Sequence, residues 1–195
     1  FNHETKFNLA QMQLYNKELK EGWVNFQSRW FYHNFKSIPF KSTRKQLNSL
    51  KEFKNIFIWA EQGIGDQIMY GSIFSEISKL SKKVIIKFDK RLIKIFERLH
   101  KNIKFIDNDA KLKEEKYDFH LPLGDLGYLF RRDIESFNKV NFPYIDVNEQ
   151  ICSKVKSTYY SQNKIMVGVS WTSKNEEIGK DKSLKLTDLI PILKL

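Results

Sequence analysis

A short turn between an apolar run and an amphipathic segment carries the residues best suited to chemistry. Residues 61–66 read Glu-Gln-Gly-Ile-Gly-Asp. Glycine permits positive φ and lets the backbone approach a ligand closely, and in an open parallel sheet the turn after a strand is a usual ligand contact. The candidate substrate-binding residues of this turn are Gln62, Gly63, Gly65 and Gln67. For the two glutamines, a solvated turn position is the alternative.

Asp66 distinguishes this turn from the common phosphate-binding loops. A dinucleotide fingerprint would carry a third glycine at position 68, where the chain has Ile68, and a phosphate loop would continue with Gly-Lys and Ser or Thr. A carboxylate at a helix N-terminus fills the region of partial positive charge and repels a phosphate beside it. Asp66 is therefore a candidate general base for an acceptor hydroxyl. A helix N-cap without catalysis is the alternative, and the residues alone leave both open.

The composition indicates a folded chain without disulfides. The 195 residues are 41% hydrophobic and 14% aromatic, which is enough for one full core and a small appendage. Cys152 is the single cysteine, so an internal disulfide is excluded. The four histidines are scattered along the chain without paired ligand spacing, and we expect no metal site.

The net charge of +11 raises the question of a nucleic-acid partner. Only six of the 34 basic residues are Arg, and the lysines are spread over every segment, so we expect a solvated basic surface and no nucleic acid. No apolar run approaches the roughly 18–20 residues of a membrane span. The first residues lack an initiator Met and the features of a signal peptide, so we expect an internal cut of a longer chain and a cytoplasmic location.

Hydrophobic spacing predicts a helical hairpin followed by alternating strands and helices. Apolar residues at helical spacing predict helices over 4–18 and 21–32, and a polar stretch with Pro39 predicts a linker containing at most one extended segment. The predicted strands cover 55–60, 83–88, 102–107, 117–123 and 164–171. The predicted helices cover 66–80, 90–100 and 148–161, with a last one beginning at 186. This alternation favours an α/β fold with a parallel, doubly wound sheet.

Four segments, in the same order and over nearly the whole chain, resemble bacterial tetratricopeptide-repeat (TPR) proteins that carry a glycosyltransferase-like domain. These proteins are similar to the heptosyltransferases of glycosyltransferase family 9 and more distantly to O-GlcNAc-transferase-type enzymes. The segments are FNLAQMQLYNKELKEGWVNFQSRW, IFIWAEQGIGDQIMYGSIFSEI, HLPLGDLGYLFR and VGVSWTSKNEEIGKDKSLKLTDLIPIL.

The resemblance implies a GT-B fold, in which two Rossmann-like lobes face a cleft. The acceptor would bind mostly to the first lobe and the nucleotide-sugar donor mostly to the second. The implied domains are a TPR-like hairpin (1–36), a linker (37–54), a Rossmann-like acceptor lobe (55–147) and a linker helix with the start of the donor lobe (148–195). The rest of the donor lobe would lie beyond Leu195, so we expect this chain to be incomplete for catalysis.

The resemblance also assigns roles to single residues. Asp66 matches the proposed base, and His120 matches a position facing the cleft, with a buried structural histidine as the alternative. Arg131 and Arg132 would meet an anionic acceptor or form a solvated face. The positions matching donor-diphosphate contacts are Thr172, Ser173, Lys174, Lys182 and Ser183. Lys182 stands where the family has Arg, which keeps the charge but loses bidentate geometry.

We therefore expect an inverting, metal-independent glycosyltransferase that needs no cofactor beyond its nucleotide-sugar substrate. Its acceptor would be a glycan or a protein. The alternative is a non-catalytic interaction module whose TPR helices bind a peptide. A nicotinamide-dependent oxidoreductase is a more distant third, because the third glycine of the fingerprint is missing.

Overall fold

The computed structural model describes residues 2–50, 55–140, 142–160, 165, 167–173 and 179–193. The chain divides into two compact units, Phe1–Asp146 and Val147–Leu195. Within the described residues, every helix falls short of the length and apolar character that a bilayer span requires.

The first unit begins with two antiparallel helices, α1 (His3–Tyr15) and α2 (Leu19–Phe26). The side chain of Asn2 caps α1 by accepting the Glu4 N–H at 3.2 Å, and Lys17 turns the chain with a φ of 66°. The structure therefore has a helical hairpin close to the predicted positions. The second predicted helix, over 21–32, differs in one respect. Its last part, Gln27–Phe31, is a 3-10 turn that follows α2.

A five-stranded sheet forms the centre of this unit, and all its strands are parallel. The spatial order β1-β5-β2-β3-β4 confirms the predicted α/β class. The strands are β1 (Lys45–Gln46), β2 (Asn55–Trp59), β3 (Lys83–Phe88), β4 (Ile103–Asp107) and β5 (Phe119–Pro122). The extended segment of the predicted linker is β1, which forms one edge of the sheet.

Helices pack on one face of the sheet. α3 (Ile64–Gly71) and α4 (Phe74–Leu80) connect β2 to β3, α5 (Lys90–Leu99) connects β3 to β4, and α6 (Asp125–Phe130) follows β5. The sequence predicted a single helix over 66–80, whereas the structure has two. The helix is interrupted at Ser72 and Ile73, next to Gly71, where a β-carbon would overlap the ring of Phe96.

The two faces of the sheet are covered in different ways. Ile56 and Ile58 of β2 pack in one cluster with the buried residues of α3, α4 and α5. Phe57 and Trp59, which point to the other face, pack with apolar side chains that come from outside these helices, namely Trp30, Phe40, Ile106 and Leu112. In the described residues the arrangement is therefore compatible with a Rossmann-like fold. The crossover helices α3–α5 lie on one face, and Leu112 of the β4–β5 connection packs on the other.

The second unit contains α7 (Glu149–Tyr159), a 3-10 turn (Leu186–Leu189) and α8 (Ile190–Leu193). Asn148 caps α7 by accepting the Ile151 N–H at 3.0 Å. The buried strand predicted over 164–171 is wrong for the residues of that range that the structure describes, because none is in a strand and Ile165 is 92% exposed. A strand needs neighbours for its backbone groups, and the described part of this unit supplies none.

Candidate functional site

The strand order changes direction beside β2. The chain passes from β2 to β3 and β4 on one side, and returns to β5 on the other. In open α/β sheets, ligands bind in the crevice outside the carboxyl ends of the strands at such a point. Here that crevice lies between Glu61, which follows β2, and Gly124–Asp125, which follow β5.

A buried arginine from the helical hairpin fills this crevice. Arg29 is completely buried, and its Nη2 donates to Glu61 Oε1 and Oε2 at 3.0 Å and to Asp125 Oδ1 at 2.7 Å. Its guanidinium carbon lies 4.7 Å from the ring centre of Phe26 and 4.6 Å from that of Trp30. The side chain of Arg29 therefore connects the hairpin to both the turn after β2 and the turn after β5.

The two carboxylates around Arg29 have further partners. Glu61 Oε1 accepts the Gly124 N–H at 2.7 Å, while Asp125 accepts from the side-chain amides of Gln27 at 3.0 Å and Gln46 at 2.8 Å. Burial raises the pKa of Glu61 to about 7, although the charge and hydrogen bonds of Arg29 oppose the shift. Since two carboxylates share one guanidinium, the cluster carries excess negative charge when both are ionised.

Two glycines after β5 allow the hairpin and the turn to approach. A β-carbon at Gly124 would overlap Glu61 Oε1, and one at Gly127 would overlap the indole ring of Trp23. The Nε1 of Trp23 also donates to the backbone oxygen of Arg131 at 2.7 Å. The glycines of the Gly-Asp-Leu-Gly sequence are thus needed for packing between segments that are distant in the chain.

Sequence reasoning missed Arg29, Glu61 and Asp125 as a group. A signal was present, because Arg29 interrupts an apolar stripe and charged residues are rarely fully buried unless they are paired. Nothing in the spacing indicates which acids would be its partners.

Asp66 lies in the first turn of α3, at the carboxyl end of β2. The residue preceding the helix is Gly63, and it makes no side-chain capping bond, so the alternative role of Asp66 as the N-cap residue itself is wrong. Asp66 is half-buried, and its carboxylate makes no hydrogen bond or ion pair with the residues that the structure describes. The first-turn position still favours its negative charge.

A cavity of about 450 Å³ opens beside Asp66. It lies between the helical hairpin, α3 and the segment that follows β5. Its lining residues are Phe7, Gln11, Leu14, Leu19, Trp23, Phe26, Gln62, Asp66, Met69, Tyr70, Ser72, Ile73, Gly127, Arg131 and Phe137. Met69 and Phe137, at 54% and 42% exposure, connect it to the surface.

Tyr70 and Arg131 are the buried polar side chains of this cavity. Tyr70 is 4% exposed, and its hydroxyl has no hydrogen-bond partner among the described residues. Burial, together with the charge of Glu61, raises the pKa of Tyr70. Arg131 is also buried, but both of its terminal nitrogens donate to Glu76. Its charge is thus neutralised within the protein, while Arg132 is exposed with its guanidinium 5.3 Å from the Tyr128 ring centre.

The two glutamines and the two glycines predicted to bind substrate have different surroundings. Gln62 lines the cavity, whereas Gln67 is buried, donates to the Gln62 carbonyl at 3.2 Å and accepts the Asp89 N–H at 2.8 Å. No described glycine has a positive φ, so Gly63 and Gly65 do not use the conformational freedom that the sequence suggested. The space beside Gly65 is open, with no atom within 4 Å of a β-carbon built there.

His120 lies away from Asp66. It pairs in register with Phe57, on the face opposite to α3, and its Nδ1 accepts the Trp59 Nε1–H at 3.3 Å. Burial lowers its pKa, which favours the neutral imidazole that this bond requires. The structure therefore does not bring His120 to the cavity, and its surroundings match the structural alternative.

In the second unit, two of the predicted donor contacts, Ser173 and Ser183, are hydrogen-bonded to each other. The Ser173 N–H donates to Ser183 Oγ at 2.9 Å, and this hydroxyl donates to the Gly179 carbonyl at 2.6 Å. Thr172 and Lys182 are exposed next to this pair. Lys174 lies outside the described residues.

Comparison with known proteins does not assign the chain to a family. No family model matches it, and neither the curated proteins nor the solved structures contain a match. The fold and the site define an α/β protein with a parallel sheet, an attached helical hairpin and a cavity between them. One carboxylate in this cavity is unpaired among the residues that the structure describes. Among the described residues, no group of three or more His, Cys, Asp or Glu side chains is arranged to hold a metal ion.

Proposed function

We propose that this chain is part of a TPR-containing glycosyltransferase of the GT-B type. Its first unit would be the acceptor lobe preceded by a TPR hairpin, and its second unit the start of the nucleotide-sugar lobe. The parallel sheet, the hairpin before it and the Glu-Gln-Gly-Ile-Gly-Asp turn at the end of β2 support this proposal.

The observation that carries the proposal is the unpaired carboxylate of Asp66 at the cavity. In the proposed step, Asp66 takes the proton of an acceptor hydroxyl while the hydroxyl oxygen bonds to the anomeric carbon of the donor sugar. The bond from that carbon to the diphosphate oxygen breaks, and its electron pair leaves with the nucleoside diphosphate. Attack opposite to the leaving group inverts the anomeric configuration. The donor sugar is the only other reactant.

The donor would be held by the loop of the second unit. The hydrogen bond between Ser173 and Ser183 supports one continuous contact surface formed by Thr172, Ser173, Lys182 and Ser183. Lys182 would supply positive charge to the leaving diphosphate, since preorganised charge where negative charge develops is a large term in catalysis.

Replacing Asp66 by Asn tests the assignment in the full-length protein. Release of nucleoside diphosphate from a panel of nucleotide sugars should fall by roughly 10²–10⁴-fold, the usual contribution of a general base. Asp109→Asn is the matched control, because Asp109 is exposed and lies in the turn after β4. An Asp66→Asn protein that keeps its melting temperature and its transfer rate would remove the assignment of Asp66 as the base.

A second candidate function is a non-catalytic interaction module. The observation that favours it is a set of large apolar side chains exposed on the hairpin, namely Leu9, Met12, Tyr15, Val24 and Phe31. Calorimetry separates the two functions, because the module would capture a peptide on this surface and would bind no nucleoside diphosphate.

A further inference from the structure

The cavity beside Asp66 has a lining that a sugar alone does not require. Eight of its side chains are apolar, and five of them come from the hairpin. They are Phe7, Leu14, Leu19, Trp23, Phe26, Met69, Ile73 and Phe137. A sugar is covered with hydroxyl groups, and a buried hydroxyl without a partner costs free energy. The occupant of this cavity therefore has a large apolar part.

Two of the polar groups that line the cavity, Asp66 and Tyr70, come from the same helix. Tyr70 follows Asp66 by four residues on α3, so the two side chains occupy the same helix face. Asp66 offers a free acceptor and Tyr70 a hydroxyl without a partner among the described residues. Gln62 and Gln11 add two amides. This combination suits one or two hydroxyls at the end of an apolar body.

The charge of the cavity excludes an anionic occupant. Arg131 is paired with Glu76, which leaves the Asp66 carboxylate as the unpaired charge among the lining residues. A phosphate or carboxylate placed here would meet a like charge in a partly desolvated site. A neutral head group with hydroxyls avoids that repulsion.

A peptide fits this cavity poorly. Each residue of an entering peptide brings a backbone N–H and C=O that need partners when they are buried, and the apolar side chains of the lining offer none. A hydrocarbon chain brings no polar atoms. The volume of about 450 Å³ corresponds to about 15 water-sized volumes of ~30 Å³ each, which is room for a chain of medium length.

We propose that the acceptor is a neutral amphiphile, a hydroxyl-bearing head group joined to a hydrocarbon chain that fills the cavity between α1, α2 and α3. Its identification as the acceptor rests on the proposed transferase function, whereas the binding of the amphiphile does not. The hydroxyl lies between Asp66 and Tyr70, and the chain lies against Trp23 and Phe26. The hairpin then forms half of the acceptor site.

Isothermal titration of the 195-residue chain with alkyl β-glucosides, kept below their micelle-forming concentrations, tests the proposal. Glucose should bind far more weakly than octyl glucoside. Affinity should rise by up to about fourfold for each added methylene, the equivalent of ~0.8 kcal/mol, until the cavity is full. A hydroxy-amino-acid peptide with apolar flanking residues should bind no better than glucose.

Three variants locate the binding. Gln11→Trp fills the cavity from an exposed position on α1 and should weaken octyl glucoside binding at least tenfold. Met12→Trp is its matched control, because Met12 is 59% exposed on the same helix and does not line the cavity. Tyr70→Phe removes one hydroxyl and should weaken binding roughly three- to tenfold, the value of one hydrogen bond, with an unchanged melting temperature.

The outcomes are distinct. Equal affinity for glucose and octyl glucoside, equal losses in the two tryptophan variants, or tighter binding of the peptide would each overturn the amphiphile proposal. If Gln11→Trp does not fold, the chain-length series and Tyr70→Phe still decide it. Chain-length-dependent binding by a full-length protein that releases no nucleoside diphosphate from the nucleotide-sugar panel would overturn the transferase function and leave the amphiphile site standing.

Discussion

The Nε and Nη2 of Arg29 both donate to Glu61 Oε2, at 3.2 and 3.0 Å, in a pair whose side chains are at most 1% exposed. Arg29 belongs to the helical hairpin and Glu61 begins the turn that contains Asp66. The position of the candidate base therefore depends on a contact made by a separate part of the chain.

Removing the arginine should be severe. In Arg29→Met, Glu61 and Asp125 would remain buried without a counter-charge, and breaking a buried pair in this way typically costs about 3–5 kcal/mol of unfolding free energy. Urea denaturation measures this cost. Arg91→Met is the control, since Arg91 is exposed and its pair with Asp89 lies at the surface. Equal stability losses in the two variants would contradict the structural role given to Arg29.

The unfolding free energy should depend on pH through Glu61. Its folded pKa of about 7 lies above the ordinary 4.5, so between these values the folded state binds more protons than the unfolded state. The contribution of Glu61 to stability is then present below about pH 4.5 and is lost as the pH rises to about 7. The stability difference between wild type and Glu61→Gln should shrink from about pH 5 to about pH 7.5.

A suitable control for that titration is Glu114→Gln. Hydrogen bonds from Thr43 and Ser42 lower the pKa of Glu114, so its contribution is lost only at more acidic pH and its variant should show no slope across the same window. A difference between wild type and Glu61→Gln that is independent of pH would rule out the raised pKa.

The contribution of His120 to the unfolding free energy should change with pH in the direction opposite to that of Glu61. Burial lowers its pKa from the ordinary 6.5, so the unfolded state binds more protons and stability is lost as the pH falls below about 6.5. Protonation would also place a hydrogen on Nδ1, where the Trp59 Nε1–H is accepted. Wild type should therefore lose more stability than His120→Gln between about pH 7 and pH 5. The same slope in wild type and in His120→Gln would contradict the lowered pKa of His120.

Two glycines should respond oppositely to alanine. Gly127→Ala places a methyl group into the Trp23 ring and should cost about 1–3 kcal/mol of unfolding free energy through overpacking. Gly65→Ala meets open space in the first turn of α3 and should add up to about 1 kcal/mol through helix propensity. Thermal denaturation checks both. If Gly65 contacts substrate, Gly65→Ala will lose transfer activity in the full-length protein without losing stability.

Local patterns predicted the strands well and tertiary contacts poorly. The four strands β2–β5 were predicted to within two residues at each end, because buried parallel strands are continuous apolar runs bounded by polar residues. The break between α3 and α4 at Ser72 and Ile73 was missed, since no proline marks it in the sequence. The strand predicted over 164–171 has the right composition, but composition cannot supply a neighbouring strand.

The candidate site shows the same division. Asp66 could be selected from its place between strand and helix, and it does line a cavity. His120 could not be assigned to a face, because that depends on its register with Phe57 in the sheet. The sequence also did not show that apolar side chains of the hairpin line this cavity, since the aromatic stripe of α2 is equally suited to a closed core.

The placement of Arg29 limits how this protein can be dissected or recombined. A sheet domain produced without the first 36 residues would keep Glu61 and Asp125 close together without the positive charge of Arg29. We expect it to aggregate or to pack differently. A hairpin from another protein would have to place three side chains at the positions of those it replaces. These are an arginine to pair with Glu61, a tryptophan to pack on Gly127 and a glutamine to donate to Asp125. The hairpin resembles a separable repeat in the sequence, but it supplies the counter-charge for two buried acids of the sheet.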